Sequence, residues 1–189
     1  MKKMMLRSLT LLLALAAIAA CLTGCLDLGE TSGTQDNTVL QLFEELQDND
    51  VMPFTITEKA REMLRKNEDL FLRNRNGGLA EYTDTSLEYK ILSKNIDKHG
   101  DKLLFLSEAY VLQINETQLD DETTFSALHL VDVDGNSLYV MSLVAYDDIF
   151  EGDYVCAYAL PLGETAFDNI SGGTTLAIVL AGCYVEKIG

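Results

Sequence analysis

The sequence predicts a mainly β domain of the α+β class, with five strands in the C-terminal half preceded by two short helices. Three observations predict it. From Leu87 onward, five runs rich in Val, Ile, Leu and Tyr alternate apolar with polar residues and are bounded by Gly, Asp, Asn or Pro. Between Val39 and Phe71, apolar residues recur instead at helical spacing. Ahead of both, the chain shows a leader and then a polar stretch without apolar period. The 189 residues therefore divide into a leader (1–24), a short tether (25–38), a helical segment (39–86) and a β domain (87–189).

Lys2, Lys3 and Arg7 give the leader a basic start, and twelve mostly apolar residues follow from Leu9 to Ala20. A run of this length is too short to span roughly 30 Å of hydrocarbon as a helix, but it suits the core of a signal peptide. Leu22-Thr23-Gly24-Cys25 then looks like a bacterial lipobox. That resemblance implies that the Cys25 sulfur takes a diacylglyceryl group and becomes the new N-terminus, which would hold the chain on the outer face of the cell membrane. Acyl chains contribute about 0.8 kcal/mol per buried CH₂, so two hold a protein far longer than one. Ile18-Ala19-Ala20-Cys21 is a poorer second lipobox, and an ordinary signal peptide with an incidental cysteine is the plainer alternative. A stop-transfer helix fits worse, because Thr23, Gly24 and Asp27 interrupt the apolar run.

Residues 26–38 are polar and rich in Gly, Ser and Thr. As a coil they would reach about 20 Å from the anchor. Beyond residue 24 the chain keeps 11 Lys+Arg against 30 Asp+Glu, a formal charge of −19. An acidic surface of this kind repels phosphate backbones and anionic lipid, so nucleic acid is not an expected partner. Cys156 and Cys183 alone remain in the folded part, and free thiols are the expected state, although an exported chain can form a disulfide. With only His99 and His129 beside them, a zinc site lacks ligands, and neither metal nor cofactor is expected.

The first helix runs from Val39 to about Gln47, with Leu42, Phe43 and Leu46 on one face and Asn37 or Thr38 as cap. Asp48-Asn49-Asp50 ends it, and Pro53 forces extended backbone. Thr57 caps a second helix whose Ala60, Met63, Leu64 and Phe71 form an apolar stripe. The turn-rich Arg73–Gly78 segment stops it. The strands are Lys102–Ile114, Thr124–Asp132, Ser137–Tyr146, Tyr154–Leu160 and Thr174–Lys187. Asp132-Val133-Asp134-Gly135-Asn136 is a hairpin turn, because Asp-Gly supplies positive φ. Asp147–Gly152 is read as one short helical turn. Five strands with a helical break between the third and fourth follow the order of an OB-fold, a five-stranded Greek-key barrel.

Residues 87–189 resemble the C-terminal OB-fold domain of uncharacterised lipoproteins from Gram-positive bacteria, similar to the anticodon-binding type of barrel. The pieces that carry the resemblance are Tyr89–Leu92 through Asn95–Lys102 entering strand one, Asp134-Gly135-Asn136, Glu151–Val155, Gly163 to Gly173, and Tyr184-Val185-Glu186. Asn67–Phe71 is similar to the segment that precedes such barrels. Ala157 and Ala159 depart from the β-branched residue and glycine common there. What the resemblance implies about function is an extracellular binding module.

Motifs for chemistry are sparse. Ile170–Thr175 is Gly-rich but lacks the lysine of a phosphate loop. Asp132-x-Asp134-x-Asn136 opens like a calcium loop, but Ser137 and Leu143 replace the glycine and the closing glutamate. Neither histidine has a serine or cysteine beside it in sequence, so an enzyme is not expected. The acidic cluster Glu116, Asp120, Asp121 and Glu122 reads as a solvated loop. OB-folds bind on the strand two–three face and on the loops between strands one and two and between four and five. Here those loops are 115–123 and 161–173. The candidate ligand-binding residues are His129, Tyr139, Phe167, Asp168 and Asn169, with Gln118, Asp120, Asp121 and Met141 nearby. Acids and amides with an exposed aromatic suit sugar hydroxyls or a basic peptide better than phosphate, and the expected partner is an envelope protein or glycan. The alternatives are an envelope hydrolase using His99 or His129 with scattered carboxylates, and a structural spacer. Strand alternation leaves open whether His129 and Tyr139 point outward.

Overall fold

The computed structural model describes residues 38–47, 52–121, 123–168 and 172–188. The leader, Cys25, tether residues 26–37 with Asn37, the Asp48–Asp50 stop, Glu122, Asn169, Ile170 and Ser171 lie outside them.

Helix α1 (Thr38–Gln47) turns Val39, Phe43 and Leu46 into the core. Helix α2 (Glu58–Lys66) begins at Thr57, whose hydroxyl accepts the Ala60 N–H. Glu58 in its first turn and Arg65 and Lys66 in its last suit the helix dipole. A 3₁₀ turn at Glu68–Leu70 then carries Phe71 inward, so the Ala60–Met63–Leu64–Phe71 stripe is buried although Phe71 stands beyond the helix. Helix α1 is pinned to α2 by the Arg61–Glu44 ion pair and to the 3₁₀ turn after it by the Val39 N–H donating to Glu68 Oε1 at 3.0 Å. Helix α3 is a single turn, Tyr89–Leu92, followed by a 3₁₀ turn at Ile96–Lys98. The segment expected to lead into strand one is thus helical turns.

The strands are β1 (Leu104–Gln118), β2 (Thr124–Asp132), β3 (Ser137–Ser142), β4 (Tyr154–Asp168) and β5 (Thr174–Lys187). They form one mainly antiparallel sheet in the order β1-β2-β3-β5-β4, with β3 and β5 parallel. β1 pairs with β4 as well as with β2, so the circuit of hydrogen-bonded pairs returns to its start. The curled sheet has two apolar faces. The inner face is filled by Leu128, Leu130, Leu138, Val140, Leu180 and their neighbours, with Leu92 of α3. On the outer face, Phe125, Ala127, Met141, Val179 and Leu160 share one cluster with α1 and α2. Full burial of each large aliphatic side chain is worth about 1.5–3 kcal/mol. Both layers therefore contribute to holding the strands in register.

Several sequence expectations are corrected. β4 does not stop at Leu160. Pro161 lacks an N–H, but the register shift between Pro161 and Gly163 absorbs it, and the strand continues to Asp168. The expected 161–173 loop thus shrinks, and Phe167 and Asp168 are strand residues paired with Thr175 and Thr174. β1 likewise runs on to Gln118. Glu116 is therefore no solvated loop acid, and its carboxylate accepts from Ser126 Oγ at 2.9 Å and from the Tyr146 N–H at 2.7 Å. β3 ends at Ser142, short of Tyr146, whose backbone N–H Glu116 has taken. Asp147–Gly152 forms turns and no helix, closed by Phe150 N–H donating to Asp153 Oδ2 at 2.8 Å, with Gly152 at φ +94°.

The extended segment before α2 lies against β4, where the Thr57 N–H donates to the Leu162 carbonyl at 2.9 Å. A Cβ on Gly163 would overlap the Thr55 carbonyl, which is backbone and cannot swing aside. Gly163→Ala should therefore cost on the order of 1–3 kcal/mol, the range of overpacked sites. Gly77→Ala, with no atom within 4 Å, should change stability by less than about 0.5 kcal/mol. Urea unfolding of the two variants checks this.

Candidate functional site

The β2–β3 hairpin sets the register of the site. Asp132 Oδ1 accepts the Asp134 and Asn136 N–H groups at 3.0 and 2.8 Å, and Gly135 takes φ +85°. This reversal places His129 opposite Tyr139. Residues 125, 127 and 129 alternate with the inward-facing Leu128 and Leu130, so His129 lies on the outer face with Phe125 and Ala127. The rings of His129 and Tyr139 stack at 4.4 Å with an interplanar angle of 15°. Phe167 meets both edge-on, at 5.8 Å from His129 and 5.6 Å from Tyr139. Such pairs are worth about 0.5–1.5 kcal/mol beyond area burial.

Three of the five residues singled out from sequence thus converge, although β2, β3 and β4 supply one each. Asp168 stands exposed at the end of β4, next to Phe167 in sequence. Asn169 lies outside the described residues. Met141, also considered for this face, is buried in the cluster with α1 and α2. Gln118 donates from Nε2 to the Asp120 carbonyl at 2.7 Å in the β1–β2 loop. His99 is half-buried at the end of the Ile96–Lys98 turn. Cys156 and Cys183 are free thiols, and burial raises the pKa of both.

Two residues of the site escaped the sequence reading. Ser137 Oγ hydrogen-bonds His129 Nε2, and both side chains are buried. Thr165 lies two residues before Phe167, on the same face of β4. Its hydroxyl is buried and, among the described residues, has no hydrogen-bond partner. No local motif marks either residue, because each reaches the site through strand pairing: Thr165 opposite Ala177 on β5, and Ala177 opposite Ser137 on β3.

Only 9% of His129 and of Tyr139 remains exposed, so a ligand would meet the rim before the rings. Burial lowers the His129 pKa to about 4 and raises that of Tyr139 to about 12. At neutral pH both are uncharged, and His129 is a weak base. An open cleft of about 560 Å³ lies elsewhere, between the 53–58 segment, Ile96–Asp97 and Gly163–Glu164. Among the described residues, no three His, Cys, Asp or Glu side chains converge to hold a metal ion. The chain matches no family model, no curated protein and no solved structure.

The burial of His129 sets a pH dependence. Its folded pKa lies below the ordinary value near 6.5, so between the two the unfolded chain binds the extra proton. The associated stability is complete above pH ~6.5 and is lost as pH falls toward 4. At pH 4.5 the loss should be on the order of 2 kcal/mol. Urea unfolding at pH 7.5 and 4.5 should show that difference relative to His129→Phe, which carries no titrating group.

Proposed function

We propose that the chain is a lipid-anchored, extracytoplasmic OB-type module that binds an envelope protein or glycan without chemical turnover. The observation that carries this reading is the meeting of His129, Tyr139 and Phe167 on the outer β2–β3 face, the surface on which OB barrels bind. Its support is the strand circuit, with β1 joined to both β2 and β4 and β3 parallel to β5. Asp168 adds an exposed carboxylate at the rim beside Phe167. Half-buried Phe167, held by the two buried rings behind it, offers a rigid aromatic edge at the rim at small entropic cost. The Leu22–Cys25 lipobox supports the address.

One contact favours a second reading. Ser137 beside His129 has the outline of a nucleophile and its base, which would make the chain an envelope hydrolase. The lowered pKa of His129 argues against it, because a general base works best with a pKa near the operating pH.

Expressed in a bacterial host, the full-length chain should sediment with membranes and carry a diacylglyceryl mass at Cys25, and Cys25→Ala should release it. Phe167→Ala should weaken capture of the envelope partner, protein or glycan, by about tenfold, the order of a lost aromatic anchor. A fluorophosphonate probe should leave Ser137 unlabelled. Labelling of Ser137 that disappears in His129→Phe would replace the binding reading with the hydrolytic one.

A further inference from the structure

A second surface lies around the sheet from His129, on the outer face of β1, β4 and β5. Strand pairing lines up Phe105, Tyr158 and Tyr184 in one row across the three strands. Phe105 and Tyr158 stack at 4.5 Å, and Tyr158 and Tyr184 are 6.5 Å apart. Four residues further along β4, about 13 Å at the rise of a strand, Tyr154 pairs with Tyr110 of β1 at 5.5 Å. Phe105, Tyr110 and Tyr154 are exposed, whereas Tyr158 and Tyr184 border the cluster beneath the helices.

Two carboxylates stand between these aromatic rows. Glu186 is exposed on β5 opposite Cys156 of β4. Glu108 is exposed in the irregular stretch of β1 between Leu106 and Ala109, whose partners Ala157 and Val155 flank that cysteine. Glu186 stands two residues from Tyr184 on β5, on the same face of the strand, which sets it beside the aromatic row. The pattern is rings, acids, rings, on a surface already ordered by ring–ring contacts.

We infer that this face docks a Lys/Arg-bearing polypeptide segment, with its cations seated over the tyrosine rings and against Glu108 and Glu186. The electron-rich faces of aromatic rings attract cations, and Arg and Lys are their commonest partners. Charge decides against other occupants. The chain carries 30 acidic against 14 basic residues, so a second copy, an anionic membrane or a nucleic acid would be repelled. At the border of the patch the protein already makes the same contact with itself, since Lys187 Nζ lies 5.8 Å from the Phe150 ring centre and pairs with Asp153 at 2.9 Å. This surface requires only the fold, and it stands or falls separately from the lipid anchor and from the His129 face.

The test is titration of the full-length chain, in detergent, with a hexa-arginine peptide and in parallel with a neutral hexasaccharide of N-acetylglucosamine. The peptide should bind, more weakly as salt rises. The double substitution Glu108→Gln/Glu186→Gln should weaken it at least tenfold, as should Tyr110→Ser/Tyr154→Ser, and at least one of the two pairs should keep an unaltered unfolding midpoint. Asp121→Asn/Asp134→Asn removes the same charge from exposed turns elsewhere and should change binding less than twofold. Equal weakening by that control pair would mean attraction to net charge alone and would overturn the inference. So would absence of peptide binding, or binding of the saccharide in its place. In those outcomes an intact Phe167-dependent partner would leave the proposed function standing.

Discussion

The pairing of β1 on both of its sides is the constraint from which the rest follows. Its first part bonds to β4 and its second to β2, with Ala109 and Tyr110 bonded to both. A strand that serves two neighbours must bend, and β1 does so at two irregularities, between Leu106 and Ala109 and between Val111 and Gln113. Once β1 bends, the sheet has an inside. That inside is lined by Leu, Val, Ile and Ala, with Leu128, Leu130, Leu138 and Leu180 all fully buried. Where β3 stops short, the uncovered edge of β5 is closed by a side chain: Asn74 donates to the Val185 carbonyl at 2.8 Å and accepts its N–H at 2.7 Å. An unpaired strand edge is an aggregation hazard, and here one amide side chain does the work of a sixth strand over a single residue.

The same bend divides the outer face into three zones with different coverings. Helices α1 and α2 seal the part around Phe125, Met141 and Val179. The part around His129 and Tyr139 is covered by Phe167, a residue of the β4–β5 arm that reaches across the neighbouring strands. The part on β1, β4 and β5 keeps Phe105, Tyr110 and Tyr154 exposed and shows rows of aromatic rings with carboxylates between them, Tyr158 and Tyr184 reaching the edge of the helix-covered cluster. The strand-two–three face is thus narrower than an uncovered sheet would offer, with half-buried Phe167 and exposed Asp168 at its rim.

The chemistry that is local in sequence was legible before the structure. Asp-Gly in the 132–136 turn demands a positive φ and therefore fixes a hairpin. Thr57 before an apolar stripe marks a helix start. Val-, Ile- and Tyr-rich alternation marks five strands, and two of them, β2 and β5, run between the residues expected. What depended on partners far along the chain was not legible. Pro161 reads as a strand end, because the bulge that accommodates it is a property of the pairing with β5. Glu116 reads as a loop acid, because its two donors come from Ser126 and Tyr146. The direction of His129 could not be read from alternation in a strand buried on both faces, since the helices that bury its second face come from the other end of the chain. Asn74 sits in a stretch whose composition says only that a turn is present.

Amide hydrogen exchange along β4 tests the double pairing of β1 most directly. Val155, Ala157, Tyr158 and Ala159 have β5 on one side and β1 on the other. If the circuit of strands closes, consecutive amides over this stretch exchange slowly, with protection approaching that of global unfolding. An alternation of slow and fast amides, with those facing β1 unprotected, is the signature of an edge strand. That pattern would contradict the account.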